Sequence, residues 1–477
     1  MKYILLIILS VFPLFCYSQA YSYLSELQKE YLDYCFLVQG AKDYPLSQPG
    51  SNEQILTILA EDTSFYAESI RQIIFRPKKP IQLGASASAY LNNNSNGKLV
   101  NIYGIYKQGG VFAIFNYRAD SDYQSNEKYF GSVGKFGSNV IGRTTDSFIQ
   151  YANGPFRLFY GRQDRNYGSL TSPSLILSDH SYSYDHFLFC YETQLFKYSY
   201  ITTRLEDVFA YDIRDELIEK SWQKKYLSFH HLEIPISNYL KLGVSESILY
   251  GGKDQSFLPM YLNPLNIWFV SKMVERRGVE EANANALMAF DILFKPKNNI
   301  GFYNQFLIDD IDFTKESRER YPDRIGYLGK LTWLNPTPQS TFSMEYTHIS
   351  NWTYNSYYTF GNYTFYGESL GHPKNGYERL ALKYVNYQHK KIMLSSILYS
   401  EREREQNLET HFVDVKTKFP IGTVQSKTGL TIKLSYLMSL KSSITIEGDW
   451  LEYQNFNHIQ DNDNIFINLQ ISGYYRL

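Results

Sequence analysis

The stretch NIFINLQISGYYRL (464–477) puts Ile465, Ile467, Leu469, Ile471, Tyr475 and Leu477 on one side of an extended chain. Asn468, Gln470, Ser472 and Arg476 fall on the other side, and Gly473 interrupts the apolar row. A period of two marks a strand with one apolar and one polar face. It closes on an aromatic and a terminal apolar residue, as membrane β-barrels characteristically do, although a terminal Phe is more usual than Leu477.

The same period recurs upstream. GLTIKLSYL (429–437) alternates Leu430, Ile432, Leu434 and Tyr436 with Thr431, Lys433 and Ser435. ERLALKYVN (378–386) sets Leu380, Leu382 and Tyr384 against Arg379, Ala381 and Lys383, and FSMEYTH (342–348) sets Phe342, Met344 and Tyr346 against Ser343, Glu345 and Thr347. In HFVDVKTKF (411–419), Val413, Val415, Thr417 and Phe419 alternate with Asp414, Lys416 and Lys418. Similar patterns occupy 81–90, 98–107, 111–119, 156–163, 187–205, 226–250, 287–294 and 300–309.

A large soluble sandwich or solenoid and a membrane barrel both alternate in this way. Three features favour the barrel. The polar positions are often full charges, which a wet lumen tolerates. The strand-rich region runs without helical interruption or short repeat. Tyr and Phe cluster towards strand ends, where a barrel places its aromatic girdles. About 400 residues at roughly 22 per strand and connection give 16 to 18 strands, with 18 the even-numbered expectation.

The first residues frame the compartment. MKYILLIILSVFPLFCYSQA carries Lys2, an apolar run from Tyr3 to Phe15, then small or polar residues. This pattern predicts a secretory signal peptide over residues 1–18, leaving Gln19 at the mature N-terminus. Phe15 before Cys16 fits a lipobox poorly. Only Cys35 and Cys190 remain after it, so no disulfide framework is expected. Residues 19–78 differ from the rest. Leu24, Leu27, Tyr31, Tyr34 and Val38 recur at helical spacing before Gly40; Ser51 and Asn52 are N-cap candidates ahead of Ile55, Leu56 and Leu59; Ile70, Ile73 and Ile74 precede Pro77. The expected organisation is a periplasmic helical segment at 19–78 and an outer-membrane barrel at 79–477.

The 477 residues carry 47 basic and 48 acidic side chains, a balance that excludes the basic footprint of a nucleic-acid partner. Aromatic residues make up 17% of the chain, 44 of them Tyr. Residues 345–373, EYTHISNWTYNSYYTFGNYTFYGESLGHP, are dense in rings and histidines. Their pattern suggests a membrane strand to His348, a loop over 351–359 and a returning strand over 360–366.

Four segments in order carry a family resemblance: FYGRQDRNYGSLTSPSLILS (159–178), SESILYGGKDQSFLPMYLNPLN (245–266), FYNQFLIDDIDF (302–313) and YGESLGHP (366–373). Together they resemble the outer-membrane capsule-assembly family typified by Wzi, in its Bacteroidetes-type form, across about residues 150–390. The resemblance implies an 18-stranded barrel with a periplasmic helical bundle, and a lectin-like role in holding capsular polysaccharide without enzymatic activity. Some relatives serve adhesion or gliding motility, so other cell-envelope export or motility proteins are further candidate partners. A porin-like channel is the alternative, and it requires an open lumen.

Sugar sites need flat rings for C–H faces and amides, carboxylates or guanidinium groups for hydroxyls. Trp352, Tyr354, Asn355, Tyr357 and Tyr358 are the ligand candidates, against the plainer reading that such rings form the interfacial belt. Arg162, Asp309, Glu345 and Lys383 are candidates for a polar network in the lumen. No catalytic residue, metal ligand or cofactor is assigned. His348 and His372 lack clustered partners, SDHSYSYDHF (178–187) offers proximity without triad geometry, and Asp309, Asp310 and Asp312 lack the EF-hand glycine and terminal Glu. The charge run SEREREQN (400–407) reads as a solvated loop or a strand rising above the membrane. The acceptor patterns at Asn351 and Asn362 are chance matches in a bacterial envelope protein.

Overall fold

The computed structural model describes residues 26–49, 52–73, 80–92, 96–121, 141–210, 221–270, 284–311, 322–387, 389, 391–405, 408 and 417–476. The signal-peptide segment 1–18, Ile74, Leu477 and the start of the 411–419 alternation lie outside them. Residues 417–420, which are described, are irregular and not strand.

Among the described residues three helices precede the strands: α1 (Glu26–Gln39), α2 (Asn52–Ile58) and α3 (Phe65–Ile73). Gly40 ends α1 with φ +147°, a region open to glycine, and its N–H reaches the Phe36 carbonyl at 3.1 Å.

Eighteen antiparallel strands then close on themselves, from β1 (Ile81–Asn92), β2 (Asn96–Gln108), β3 (Val111–Asp120), β4 (Ile141–Asn153), β5 (Phe156–Arg162) and β6 (Asp185–Glu192). They continue through β7 (Lys197–Arg204), β8 (Ser221–Ser237), β9 (Leu240–Gly252), β10 (Ala284–Lys297), β11 (Ile300–Asp310) and β12 (Arg324–Leu334). The circuit finishes with β13 (Ser340–Ile349), β14 (Tyr377–Asn386), β15 (Ile392–Glu403), β16 (Gln425–Ser439), β17 (Ser442–Gln454) and β18 (Asn464–Arg476). The C-terminal strand pairs back onto β1, from Ser86 opposite Arg476 to Asn92 opposite Gln470. Closure satisfies every wall strand on both sides, as a structure in lipid requires.

The period of two shows directly on the outer surface. Ile465, Ile467, Leu469, Ile471 and Tyr475 on β18 all point outwards, as do Ile432, Leu434 and Tyr436 on β16 and Phe342 and Met344 on β13. Such a continuous apolar belt is unstable in water and stable against acyl chains, so this is a transmembrane barrel. Among the described residues no helix is long and apolar enough to cross a membrane; the strands do the crossing.

The stretches 187–205 and 226–250, each read as one pattern, are hairpins turning at residues 193–196 and 238–239. The returning strand expected at 360–366 is not one. That segment holds a single 3-10 turn at Thr359–Gly361 and a two-residue pairing of Thr364–Phe365 with Glu368–Ser369. The true return is β14, so a long loop, 350–376, joins β13 to it. The charge run at 400–403 belongs to β15.

One rim carries short turns, as at 154–155, 238–239 and 298–299. The other carries long connections such as 163–184, 253–283 and 350–376.

Candidate functional site: a lumen filled from both rims

From the short-turn rim, α1 enters the barrel with a stripe of three carboxylates. Glu26, Glu30 and Asp33 are four and three residues apart, which sets them on one helix face. Each meets a lysine on a different wall strand: Glu26 pairs with Lys433 at 2.8 Å, Glu30 with Lys383, and Asp33 with Lys330 at 3.1 Å. The Lys295 ammonium donates to the Leu37 carbonyl, where the C-terminal end of α1 is rich in unpaired acceptors. Beyond the helix, Ser47–Gln48 pairs antiparallel with Asn166–Tyr167 of the 163–184 loop. Glu233 on β8 accepts from the Leu46 N–H at 3.2 Å and from the Ser47 hydroxyl, and Lys241 neutralises it at 3.3 Å.

The 163–184 loop fills the middle of the lumen. Gln305 on β11 is its hub: its Oε1 accepts from the Leu175 N–H at 2.6 Å and its Nε2 donates to the Tyr167 carbonyl at 2.9 Å. The Ser172 hydroxyl donates to Glu345 at 2.5 Å, and the Lys330 ammonium donates to Thr171 at 2.6 Å. Leu175, Ile176 and Leu177 are fully buried. At about 1.5–3 kcal/mol each, their burial contributes roughly 5–9 kcal/mol, an upper bound that still makes this loop a fixed part of the core.

From the long-loop rim, residues 350–376 descend as a cap. Asp309 on β11 accepts the Tyr354 N–H at 2.8 Å, and the Tyr354 hydroxyl donates to the Leu175 carbonyl at 2.6 Å. The Tyr363 hydroxyl donates to Ser247 at 2.8 Å, and its ring stacks on Tyr354 with centroids 5.9 Å apart. Arg324 donates to the Asn355 carbonyl at 2.6 Å, and Asn355 donates onward to the Leu408 carbonyl at 2.8 Å. The Arg404 guanidinium lies over the Trp352 ring at 5.1 Å and donates to the Asn351 carbonyl at 2.5 Å. Burial pulls its pKa down to about 10. Ser178 donates through its hydroxyl to the Gly371 carbonyl at 2.5 Å, tying the cap to the middle loop. A Cβ on Gly371 would collide with the Leu175 carbonyl, so this crossing point requires glycine.

The filled lumen has two unlike halves. The inner wall of β3 to β12 is packed tightly, with Phe112, Phe148, Phe159, Leu227, Phe229 and Leu307 set among buried polar side chains such as Glu233, Gln305 and Asp309 against the inserted segments. The side lined by β12 to β17 is charged and leaves two adjoining cavities of about 340 and 380 Å³. Both are bordered by Glu26, Pro173, Glu345, Arg379 and Ile397. Arg379 reaches Glu345 and Glu401, each at 3.7 Å, and lies over the Tyr399 ring at 4.9 Å; Lys427 covers the same ring at 5.2 Å.

The sequence-derived candidates separate on these coordinates. Trp352, Tyr354 and Asn355 are buried within the cap, whereas Tyr357 and Tyr358 keep part of their surface. Tyr358 stacks on Phe360 at 5.3 Å. Glu345 and Lys383 line the same cavity, and Asp309 sits deeper with Arg324 at 3.7 Å. Arg162 stands apart at the end of β5, half exposed, in a two-pronged pair with Asp185 at 2.6 and 3.1 Å. Arg379, Glu401 and Lys427 are lumen-facing residues that the alternation alone does not single out. The alternation of Tyr399, Glu401 and Glu403 within the charge run was the available sign that these residues share a lumen-facing side.

Three of the histidines have structural partners. His180 contacts Glu368 at 3.0 Å, His186 accepts from Arg165 at 2.9 Å, and His348 packs on Phe419 at 4.5 Å. Cys35 and Cys190 are free thiols. Among the described residues no group of three or more His, Cys, Asp or Glu is placed to hold a metal ion.

No family profile and no curated relative matches this sequence. Among solved structures, Wzi of Escherichia coli, an outer-membrane carbohydrate-binding β-barrel involved in group 1 capsule assembly, superposes with a TM-score of 0.64 at 13% identity. The match covers 94% of this chain and 98% of Wzi, and it establishes a common fold. OccD3 (OpdP) of Pseudomonas aeruginosa gives 0.48 at 9% identity over 84% of this chain and 91% of its own. A BenF-like porin from Pseudomonas fluorescens Pf-5 gives 0.48 at 9% identity over 83% and 98%.

Proposed function

We propose that this protein is an outer-membrane anchor that binds or organises surface polysaccharide on its long-loop side, without catalysing a reaction. The observation that carries the reading is the occupation of much of the lumen by α1, the 163–184 loop and the 350–376 cap. A barrel filled by three interlocked segments is a rigid mount in the membrane, and the part it offers outwards is the surface of its cap. In this reading the long loops face the cell exterior and the helical segment faces the periplasm, as the turn lengths of bacterial barrels suggest. Trp352, Tyr354 and Asn355 form the base of the cap, and the partly exposed rings of Tyr357 and Tyr358 supply stacking faces for sugar. The shared fold with a carbohydrate-binding barrel supports the assignment.

Deleting the gene and measuring cell-bound against released polysaccharide tests the proposal. Loss of the bound fraction with restoration by the intact gene is the expected result. Unchanged retention with lost surface movement would favour a motility role instead. Uptake of sugars by liposomes carrying the purified protein, at rates typical of open porins, would overturn the anchor reading.

A further inference from the structure

On β8 and β9 the side chains alternate between lumen and exterior, and the exterior row includes Tyr226, His230, Glu246, Ile248 and Tyr250. Along most of the barrel this row faces lipid. Here Tyr226, Glu246, Ile248 and Tyr250 are buried, with exposures of 4% or less, although no lumen lies on that side. Residues 257–270 fold back over the outer wall and cover them. Tyr261 packs on Tyr250 at 4.7 Å and Phe257 on Tyr226 at 4.6 Å. Trp268 stacks on His230 at 4.4 Å with the rings 12° apart. The result is a second apolar cluster outside the barrel, separate from the core within it.

Beneath the flap lies a polar pair that lipid alone would not tolerate. His230 Nε2 and the Glu246 carboxylate are 2.8 Å apart on the outer wall. The flap satisfies that carboxylate with the backbone N–H groups of Trp268, at 3.0 Å, and Phe269. The Tyr198 hydroxyl donates to the Pro264 carbonyl, fastening the tip.

Apart from Ser256 and Asn263, the exposed side of the flap is apolar again. Leu265 is 85% exposed, Ile267 56%, Val270 51% and Phe257 43%. Residues 255–270 contain no Asp, Glu, Lys or Arg, whereas Lys253 and Asp254 stand immediately before them. An uncharged segment with an apolar outer side, continuous with the lipid-facing belt, matches the demands of hydrocarbon.

We propose that residues 256–270 form a flap immersed in the membrane, whose outer side takes lipid acyl chains in place of the strand surface beneath it. The flap seals the His230–Glu246 pair from lipid and widens the barrel's footprint on one side.

Leu265→Cys and Ile267→Cys, each carrying an environment-sensitive nitrobenzoxadiazole label, test this in phosphatidylcholine–phosphatidylglycerol vesicles. The parent chain labelled in parallel supplies the blank for Cys35 and Cys190, and both substituted side chains are exposed enough for the fold to accept them. Lipids bearing a doxyl group on the acyl chain should quench both labels as strongly as one at Leu434→Cys in the belt, and several-fold more than one at Lys253→Cys. Quenching of the 265 and 267 labels by aqueous iodide, at the level seen for Lys253→Cys, would overturn the proposal. So would protection from both quenchers accompanied by cross-linking between two copies, which would make the flap a protein interface.

Discussion

The carboxylate stripe of α1 allows a test whose outcome differs sharply from one ion pair to the next. Asp33 and Lys330 are both nearly buried, with side-chain exposures of 8% and 9%, whereas Glu26 opposite Lys433 is 64% exposed. Removing one partner of a buried pair leaves an uncompensated charge and costs roughly 3–5 kcal/mol, against about 0–1 kcal/mol for an exposed pair. Asp33 would keep the Tyr44 hydroxyl at 2.6 Å and the Thr171 hydroxyl at 3.3 Å, so the lower figure applies. About 3 kcal/mol is roughly a hundredfold rise in the population with the N-terminal segment detached. Lys330→Met should therefore speed proteolysis of residues 26–49 by about two orders of magnitude when reclosing outpaces cleavage, while the closed barrel stays resistant. Lys433→Met should change the rate less than about fivefold, and added salt should shrink that effect further. The double variant Asp33→Asn with Lys330→Met should recover most of the loss, since neither charge is then stranded. If Lys330→Met released the segment no faster than Lys433→Met, the stripe would not hold the plug, and the apolar contacts of Leu32 and Phe36 would suffice.

Three further outcomes follow from the cap. Tyr354→Phe removes the hydroxyl that donates to the Leu175 carbonyl at 2.6 Å, and leaving that buried acceptor unpaired should cost about 1–3 kcal/mol, read as faster cleavage within 350–376. His372 is buried in the cap, and burial holds its pKa down to about 3, below the ordinary value of 6.5. The unfolded cap binds a proton between those values and the folded cap does not, so cap stability should fall as pH drops from 6.5 towards 3; protease sensitivity that rises over this range in the parent and stays flat in His372→Gln would be the signature. On the proposed function, replacing both Tyr357 and Tyr358 by Ala should weaken polysaccharide binding about tenfold, at around 0.5–1.5 kcal/mol per ring, in calorimetry with the purified surface polymer. Equal binding by the double variant would remove these rings from the site.

The outward half of this fold was legible because lipid imposes one simple rule on alternate residues. Ile432, Leu434 and Tyr436 could be assigned to the exterior without knowing their neighbours, since any apolar side chain meets the demand. The same holds for the helices, whose 3.6-residue period is local. The lumen obeys no such rule. Lys330 means little until Asp33, almost 300 positions earlier, stands opposite it, and Gln305 reads as an ordinary polar strand residue until Leu175 and Tyr167 are threaded past it. The inner placement of Phe159, Leu227 and Phe229 was likewise hidden, because they stand among Arg157, Lys225, His231 and Glu233 and gain apolar neighbours only once the inserted segments pack against them.

In the cap, composition and structure part ways. Residues 360–366 are rich in β-favouring rings, yet Tyr363 spends its ring on Tyr354 and its hydroxyl on Ser247 instead of a wall partner. Tyr354 holds φ at +76°, a conformation an ordinary strand residue avoids, and Asp309 fixes its N–H there. Propensity describes how a residue suits a pleated surface, and here tertiary partners outbid it. A ring-dense loop between two barrel strands can thus be a girdle, a sugar platform or a stopper, and only the groups it meets across the lumen separate these. In this chain the buried rings act as the stopper, and Tyr357 and Tyr358, partly exposed at its edge, are the rings that the proposed function assigns to the ligand.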